Sequence, residues 1–311
     1  MTSATLDRPR SVATTACSLS VVIAAVNGWD TLGPTLDSID ALPERERIEV
    51  VVVDPIGGDL RDRLRVRSPS VRIVEVSERR PIPRLRYLGV ICARGDLIAI
   101  LEDHAAVDRE WASALIDGHR DPAIGAVGGA VENGEPGLVN WSVFFTEYAA
   151  YMGPVAEGPC DDLPGNNIAY KREHLLRHAD VLDSGKWESW INDRLRGEGV
   201  PIASTNRAVV RHIKPFRLGY FLKQRFHFAR SYAGMRRGDQ SWAKRLIYAA
   251  GSSILPGLLL SRVVRIALAK RRKLGMFAAC LPLIALFLTV GAFGEMVGYL
   301  AGTGSSLDRV E

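Results

Sequence analysis

LIAILEDH, residues 97–104, is the stretch on which the fold of this chain turns. Its first five residues are apolar without a polar break, which suits a strand covered on both faces rather than one with a wet side. The run stops at Glu102, Asp103 and His104, three groups that can each ligate a hard or borderline divalent cation. Outward from there, apolar β-branched runs recur at 19–26, 48–53, 71–76 and 123–131. Between them the spacing turns helical: Leu32, Leu36 and Ile39, then Leu85, Leu88 and Cys92, then Trp111, Leu115 and Ile116 behind Asp108, which reads as an N-cap. This alternation predicts a doubly wound, mostly parallel α/β sheet. Ligands of such sheets bind beyond the carboxyl ends of the strands. Asn27, Asp54 and the Glu102-Asp103-His104 cluster are therefore the candidate binding residues. Asp54 ends a run of four valines and has two readings. It accepts a hydrogen bond from a nucleobase imide or ribose hydroxyl, or it closes a turn.

The chain has 311 residues, 47% hydrophobic and 24% charged, which excludes a disordered protein and allows one large α/β domain with an appendage. The formal net charge of +5 fits phosphate-rich ligands, nucleic acid or an anionic membrane. Cys17, Cys92, Cys160 and Cys280 have no short spacing, so they read as free thiols in a reducing compartment, not as a disulfide framework or zinc site. The run at 19–26 is too short for a signal-peptide core and runs into Asn27-Gly28 without a cleavage site, so it reads as a strand. Residues 1–17 read as a flexible leader.

Further along, a Gly/Pro/Asn-rich stretch at 157–167 precedes a helical segment at 187–197 and a strand at 208–213. Residues 216–245 are basic and aromatic and are expected to form an amphipathic segment against anionic lipid. No nucleic-acid motif accompanies that stripe, so nucleic acid is not expected as a partner. The tail divides into an apolar segment at 246–261, six basic residues between 262 and 273, and a long apolar run at 274–302. The second run is long enough to span a bilayer. Loop charge then places the catalytic domain in the cytoplasm, on the inner membrane, with the C-terminus outside. Glu295 inside that run has either a functional or packing role, or a place near the far interface.

Several blocks, in order, resemble an inverting family 2 glycosyltransferase of the GT-A fold: LSVVIAAVN (19–27), EVVVVD (49–54), PRLRYLGVICARGD (83–96), ILEDH (100–104), PGNNIAYKR (164–172) and GKWESWINDRLRGEG (185–199). The tail GEMVGYLAG (294–302) resembles bacterial enzymes of surface-polysaccharide assembly. The resemblance implies a catalytic domain over 18–215, with a donor-binding half at 18–131 and an acceptor half at 132–215, followed by membrane helices at 246–302 and a tail at 303–311. It places Asn27, Asp54, Arg86, Glu102 and Asp103 on the donor, with Gly89 as the small residue beside Arg86. It makes Glu102, His104 and His212 the metal ligands, and Asn166, Asn167 and Trp187 acceptor-side residues. It puts Glu188 at the general base. The metal motif is Glu-Asp-His where the family keeps Asp-x-Asp, and Trp187-Glu188 stands where the family keeps Glu-Asp.

The implied function is metal-assisted transfer of a hexose, with inversion, from a UDP- or GDP-sugar to a lipid-linked or polysaccharide acceptor beside membrane lipids. The implied cofactor is Mn2+ or Mg2+. The alternative is a catalytically silent GT-A scaffold in a glycan-assembly complex. A dinucleotide oxidoreductase is disfavoured because the first strand–helix turn, NGWDTLG, lacks the glycine spacing that admits a pyrophosphate.

Overall fold

The structure, a computed structural model, describes residues 18–238 and 240–310; the expected leader, with Cys17, lies outside them. Strand β1 (Leu19–Ala24) leads into helix α1 (Trp29–Asp40), β2 (Ile48–Asp54) into α2 (Asp59–Arg67), and β3 (Arg72–Glu75) into α3 (Ile82–Cys92). Next come β4 (Leu97–Glu102), the short β5 (Ala105–Val107), α4 (Trp111–Gly118), β6 (Ala126–Asn133) and α5 (Leu138–Tyr148). The later half adds β7 (Gly158–Cys160), β8 (Asn167–Lys171), α6 (Arg172–Arg177), α7 (Ala179–Asp183), α8 (Glu188–Gly197) and β9 (Ile202–His212). Four helices close the chain: α9 (Leu218–Arg236), α10 (Trp242–Gly251), α11 (Leu255–Lys270) and α12 (Leu274–Ala301).

The strands form one sheet in the order β3-β2-β1-β4-β8-β6-β9-β5, with β7 paired to β9. Strands β1 to β4 are parallel, and they are the runs that read as buried on both faces. Strand β8 enters antiparallel between β4 and β6, so the sheet is mixed where a mostly parallel one was expected. The loop before β8 returns the chain from the carboxyl end of the sheet, and a strand starting there can only run the other way. One face of the sheet packs on α1 and α4 through Leu32, Leu36, Ile39, Trp111 and Leu115. The other packs on α3 and α8 through Val90, Ile191 and Leu195. Gly89 serves that second face, because a Cβ there would stand 2.4 Å from Cγ1 of Val22. Asp108 does not cap α4. The helix starts at Trp111 behind Glu110, and the Asp108 carboxylate pairs instead with Arg211 at 3.1 Å.

The C-terminal helices pack on one another and on the rest of the chain. Helix α12 is the one described helix long and apolar enough by itself to cross a membrane, while α10 and α11 form a pair bent by 57°. Yet α12 lies along the catalytic domain. Near its start Phe277 packs edge-on against Phe145 of α5, and Arg272 bonds Glu132 at 2.6 Å. Farther along, Phe287 packs on Phe221 of α9. Beyond its end, Ser306 meets His227 at 3.1 Å and the Arg309 carbonyl accepts from Gln224 at 3.0 Å. The tail thus packs against α9 beside the sheet. The physical reason is a stripe of small residues: a Cβ at Gly294 or Gly298 would come within 2.4 or 2.5 Å of an α9 carbonyl, so only glycine lets the backbones approach. Glu295 stands in the field of Arg236 and Arg225 of α9, which favours the packing role over an interfacial one. Cys92, Cys160 and Cys280 are free.

Candidate active site

Parallel pairing sets Ala24 of β1 opposite Glu102 of β4, so the residues after both strands share one rim. There Asp103, 1% exposed, accepts the Val26 and Asn27 amide N–H groups at 2.7 Å and the Asn27 side-chain amide at 2.7 Å, and meets His104 Nδ1 at 2.8 Å. Asp103, expected to contact the donor, lines the cavity described below, and its oxygens hold the rim together. Asn27 is a brace in the same network, taking Lys214 Nζ on its side-chain oxygen at 2.5 Å. Asp54 follows its turn reading. Its carboxylate is 0% exposed, accepting Ile56 and Gly57 N–H at 2.9 and 2.8 Å and Arg61 Nε at 2.8 Å. These three bonds tie the carboxylate to its own turn and to α2.

Strand β9 ends where β5 begins, pairing His212 with Ala105. This brings Glu102, His104 and His212 together, each offering one ligand atom, all within 4.8 Å of one another. Burial disfavours charge on Glu102, but the adjacent His104 imidazole holds its carboxyl well below the usual range. Burial likewise opposes a charged His104, yet Glu102 and Asp103 push it up to about 9. Burial and the positive His104 press His212 down to about 3, leaving a neutral imidazole. The proton on His104 balances the carboxylates in the place a divalent cation would take, with proton release on binding. Asp103 fixes His104 through Nδ1 and so turns Nε2 toward Glu102, at 3.3 Å. Two imidazoles and a carboxylate fit a borderline cation such as Mn2+.

Glu188 is the first residue of α8. It is 2% exposed, and its Oε2 accepts from Arg86 Nη1 at 2.8 Å, while Arg86 Nη2 stands 3.7 Å from Glu102 Oε1. Burial works against the Arg86 charge, but Glu188 and Glu102 raise its pKa above the ordinary value. Gly165 permits this arrangement, since a Cβ there would lie 2.9 Å from Glu188 Oε2. Asn166 donates to Glu102 Oε2 at 3.2 Å. Asn167, expected beside it on the acceptor side, is 0% exposed and is spent inside the sheet, donating to the carbonyls of Ala130 and Ala208 and accepting from Trp111. Trp187 forms a wall, with the Arg86 guanidinium 5.7 Å from its ring centre and the Phe228 ring tilted against it at 5.4 Å.

These groups enclose a cavity of about 340 Å³. Among the described residues, Glu188 Oε1, Asn166 Oδ1, Arg86 Nε, Trp187 Nε1 and Arg225 Nε are buried without a hydrogen-bond partner, and all five residues line it. Buried polar atoms without a partner are few in folded proteins, and those beside a cavity are candidates to pair with water, an ion or a ligand. Sequence reasoning missed the roof. Phe221, Arg225, Phe228 and Tyr232 of α9 line the cavity, as do Glu147 and Tyr148 of α5. Arg225 Nη1 lies 3.5 Å from Glu147 Oε1, whose pKa burial raises. The signal was present: 221, 225, 228 and 232 fall on one face of a helix. The same basic-aromatic pattern had suggested lipid.

The sequence profile of the family described as Glycosyl transferase family 2 matches residues 20–177. Polypeptide N-acetylgalactosaminyltransferase 12 of Mus musculus is 29% identical over 149 residues, which are 46% of this chain and 25% of that protein. Polypeptide N-acetylgalactosaminyltransferase 10 of Rattus norvegicus is 32% identical over 109 residues, 32% of this chain and 17% of that protein. The chain thus spans a quarter or less of the curated relatives it matches. Among solved structures, the mannosyltransferase PcManGT from Pyrobaculum calidifontis in complex with GDP-Man and Mn2+ aligns with a TM-score of 0.60 at 20% identity, covering 93% of this chain and 88% of that one. GalNAc-T7 with UDP, GalNAc and Mn2+ aligns with a TM-score of 0.51 at 16% identity, covering 65% and 45%. At these identities the likeness establishes the GT-A fold alone.

Proposed function

The chain belongs to glycosyl transferase family 2, and from that premise we propose that it transfers a hexose, with inversion, from a UDP- or GDP-sugar to a lipid-linked or polysaccharide acceptor at a membrane surface. The observation that carries this reading is the unpartnered Glu188 Oε1 in a cavity that also holds the Glu102-His104-His212 cluster. The acceptor hydroxyl gives its proton to Glu188 Oε1 while its oxygen bonds to the sugar C1 and the C1–oxygen bond to the diphosphate breaks. Arg86, on the opposite carboxylate oxygen, keeps Glu188 oriented. Trp187 and Arg225 line the same cavity, and their indole and guanidinium groups are the donors nearest a bound substrate. Glu102, His104 and His212 would hold a divalent cation, which would supply positive charge for the leaving diphosphate. The neighbours crystallised with Mn2+ make that the favoured ion. The animal relatives are named for polypeptide acceptors. The exposed apolar residues of α10 to α12 favour a lipid-borne acceptor instead.

Five residues with unpartnered buried polar atoms around one cavity support an enzyme over a silent scaffold. Purified chain is to be incubated with Mn2+ and a panel of UDP- and GDP-sugars, with and without candidate acceptors. Release of nucleoside diphosphate is expected, and Glu188→Gln should lower it roughly 100-fold or more, with donor binding changed only a few-fold. No release across the panel, or undiminished turnover in Glu188→Gln, overturns the proposal.

A further inference from the structure

A second cavity, of about 260 Å³, adjoins the first and shares Val26, Ile82 and Val310 with it. It lies past the carboxyl ends of β1 and β2, at Val26 and Pro55-Ile56, and it also takes in Arg79, Arg80 and Asp308. One wall thus comes from the chain that follows α12. That segment is held by α9: Arg230 Nε donates to the Gly302 carbonyl at 3.1 Å, Ser306 meets His227 at 3.1 Å, and Gln224 donates to the Arg309 carbonyl at 3.0 Å. A nucleoside diphosphate sugar with its diphosphate at the first cavity's cation cluster has this cavity next to it for its base, because the two adjoin at Val26, Ile82 and Val310. This rests on the transferase reading above.

We propose that residues 303–310 form a wall of the donor site, and that Asp308, sharing the cavity with Arg79 and Arg80, selects guanine over uracil, so that the donor is a GDP-sugar. The chemistry is in the edges of the two bases. Guanine presents two adjacent donors, N1–H and the N2 amino group, which a carboxylate accepts as a pair, and two adjacent acceptors, O6 and N7, which suit arginine. Uracil presents one N–H between two carbonyls, so a carboxylate gains one bond and sets its other oxygen against an acceptor. Asp54, expected to read the base, is consumed by its own turn and by Arg61, which leaves Asp308 as the carboxylate lining this cavity.

Calorimetric titration of the full chain with GDP and with UDP, both in Mn2+, tests the proposal. GDP should bind at least tenfold more tightly. Asp308→Ala should bring the two within about threefold, mainly by weakening GDP. Val310→Trp, which fills the shared edge of both cavities, should weaken both nucleotides at least tenfold with an unchanged melting temperature. UDP binding as tightly as GDP, or an unaltered ratio in Asp308→Ala, overturns the selection. Unaltered binding in Val310→Trp overturns the wall. Wild-type chain that binds neither nucleotide overturns the transferase reading itself, and this proposal with it.

Discussion

At the scale of single residues, the same side chain type behaves in opposite ways depending on what its backbone neighbours need. Asp54 and Asp103 both end apolar strands, and both are consumed by amide groups of the turns that follow them. Glu102 and Glu188 keep carboxylate oxygens at the cavity. A sequence shows that an acid stands at a strand end, which is why Glu102, His104 and His212 could be picked out together. It does not show which amides will reach that acid, since they belong to turns whose geometry is settled by packing. His119 illustrates a residue whose burial has a measurable effect. It sits 8% exposed at the end of α4, with Nδ1 bonded to the Leu115 carbonyl at 2.8 Å, and burial presses its pKa down to about 4. The folded state therefore binds fewer protons than the unfolded state between its ordinary value of 6.5 and about 4. Stability from this group is intact above that window and is lost as pH falls through it. Between pH 7 and 5 the loss from His119 is about 2 kcal/mol. Urea unfolding of wild type and His119→Gln at both pH values checks this. The variant should show the smaller pH dependence, and equal slopes would rule the effect out.

Among the elements, β1, β2 and β4 were legible because strands covered on both faces carry unbroken apolar runs. Strands β5 and β7, three residues each, were not, since so short a run has no period to read. The role of α9 was hidden for another reason. Its partner α12 is some seventy residues away, about the distance from Phe226 to Gly294, and no local pattern reports that they meet. This seam yields the second prediction. Gly294→Leu places a side chain where even a Cβ would lie 2.4 Å from the Phe226 carbonyl. Prising α9 from α12 should cost roughly 1–3 kcal/mol. It should also raise the KM for the nucleotide sugar, because α9 carries Arg225 and Phe228 into the cavity. A thermal melt should drop by several degrees, with Gly294→Ala intermediate. A wild-type melting curve for Gly294→Leu would show that the close approach does not matter.

For the whole molecule, the outer face of α10 to α12 shows Ile247, Ile254, Leu258, Leu268, Leu286 and Phe293, each at least 40% exposed. Arg262, Arg265, Arg271 and Lys273 stand exposed among them without an acidic neighbour in that stretch. A face of apolar and basic residues of this kind suits contact with an anionic membrane. Full-length chain should sediment with vesicles containing phosphatidylglycerol, less with purely zwitterionic ones, and added salt should weaken the binding. Ile247→Glu with Leu258→Glu should leave most of the protein in the supernatant. Equal sedimentation of wild type and double variant would remove this face from consideration. The placing of β8 between β4 and β6 has a consequence of its own. The stretches 18–131 and 132–215 are not modules joined by a hinge, but interleaved strips of a single hydrogen-bonded fabric. A chimaera that exchanges either portion with a cousin would have to re-weave the backbone pairing of two strands at once, so new specificities in this lineage are expected to arise by substitution at the rim rather than by shuffling of halves.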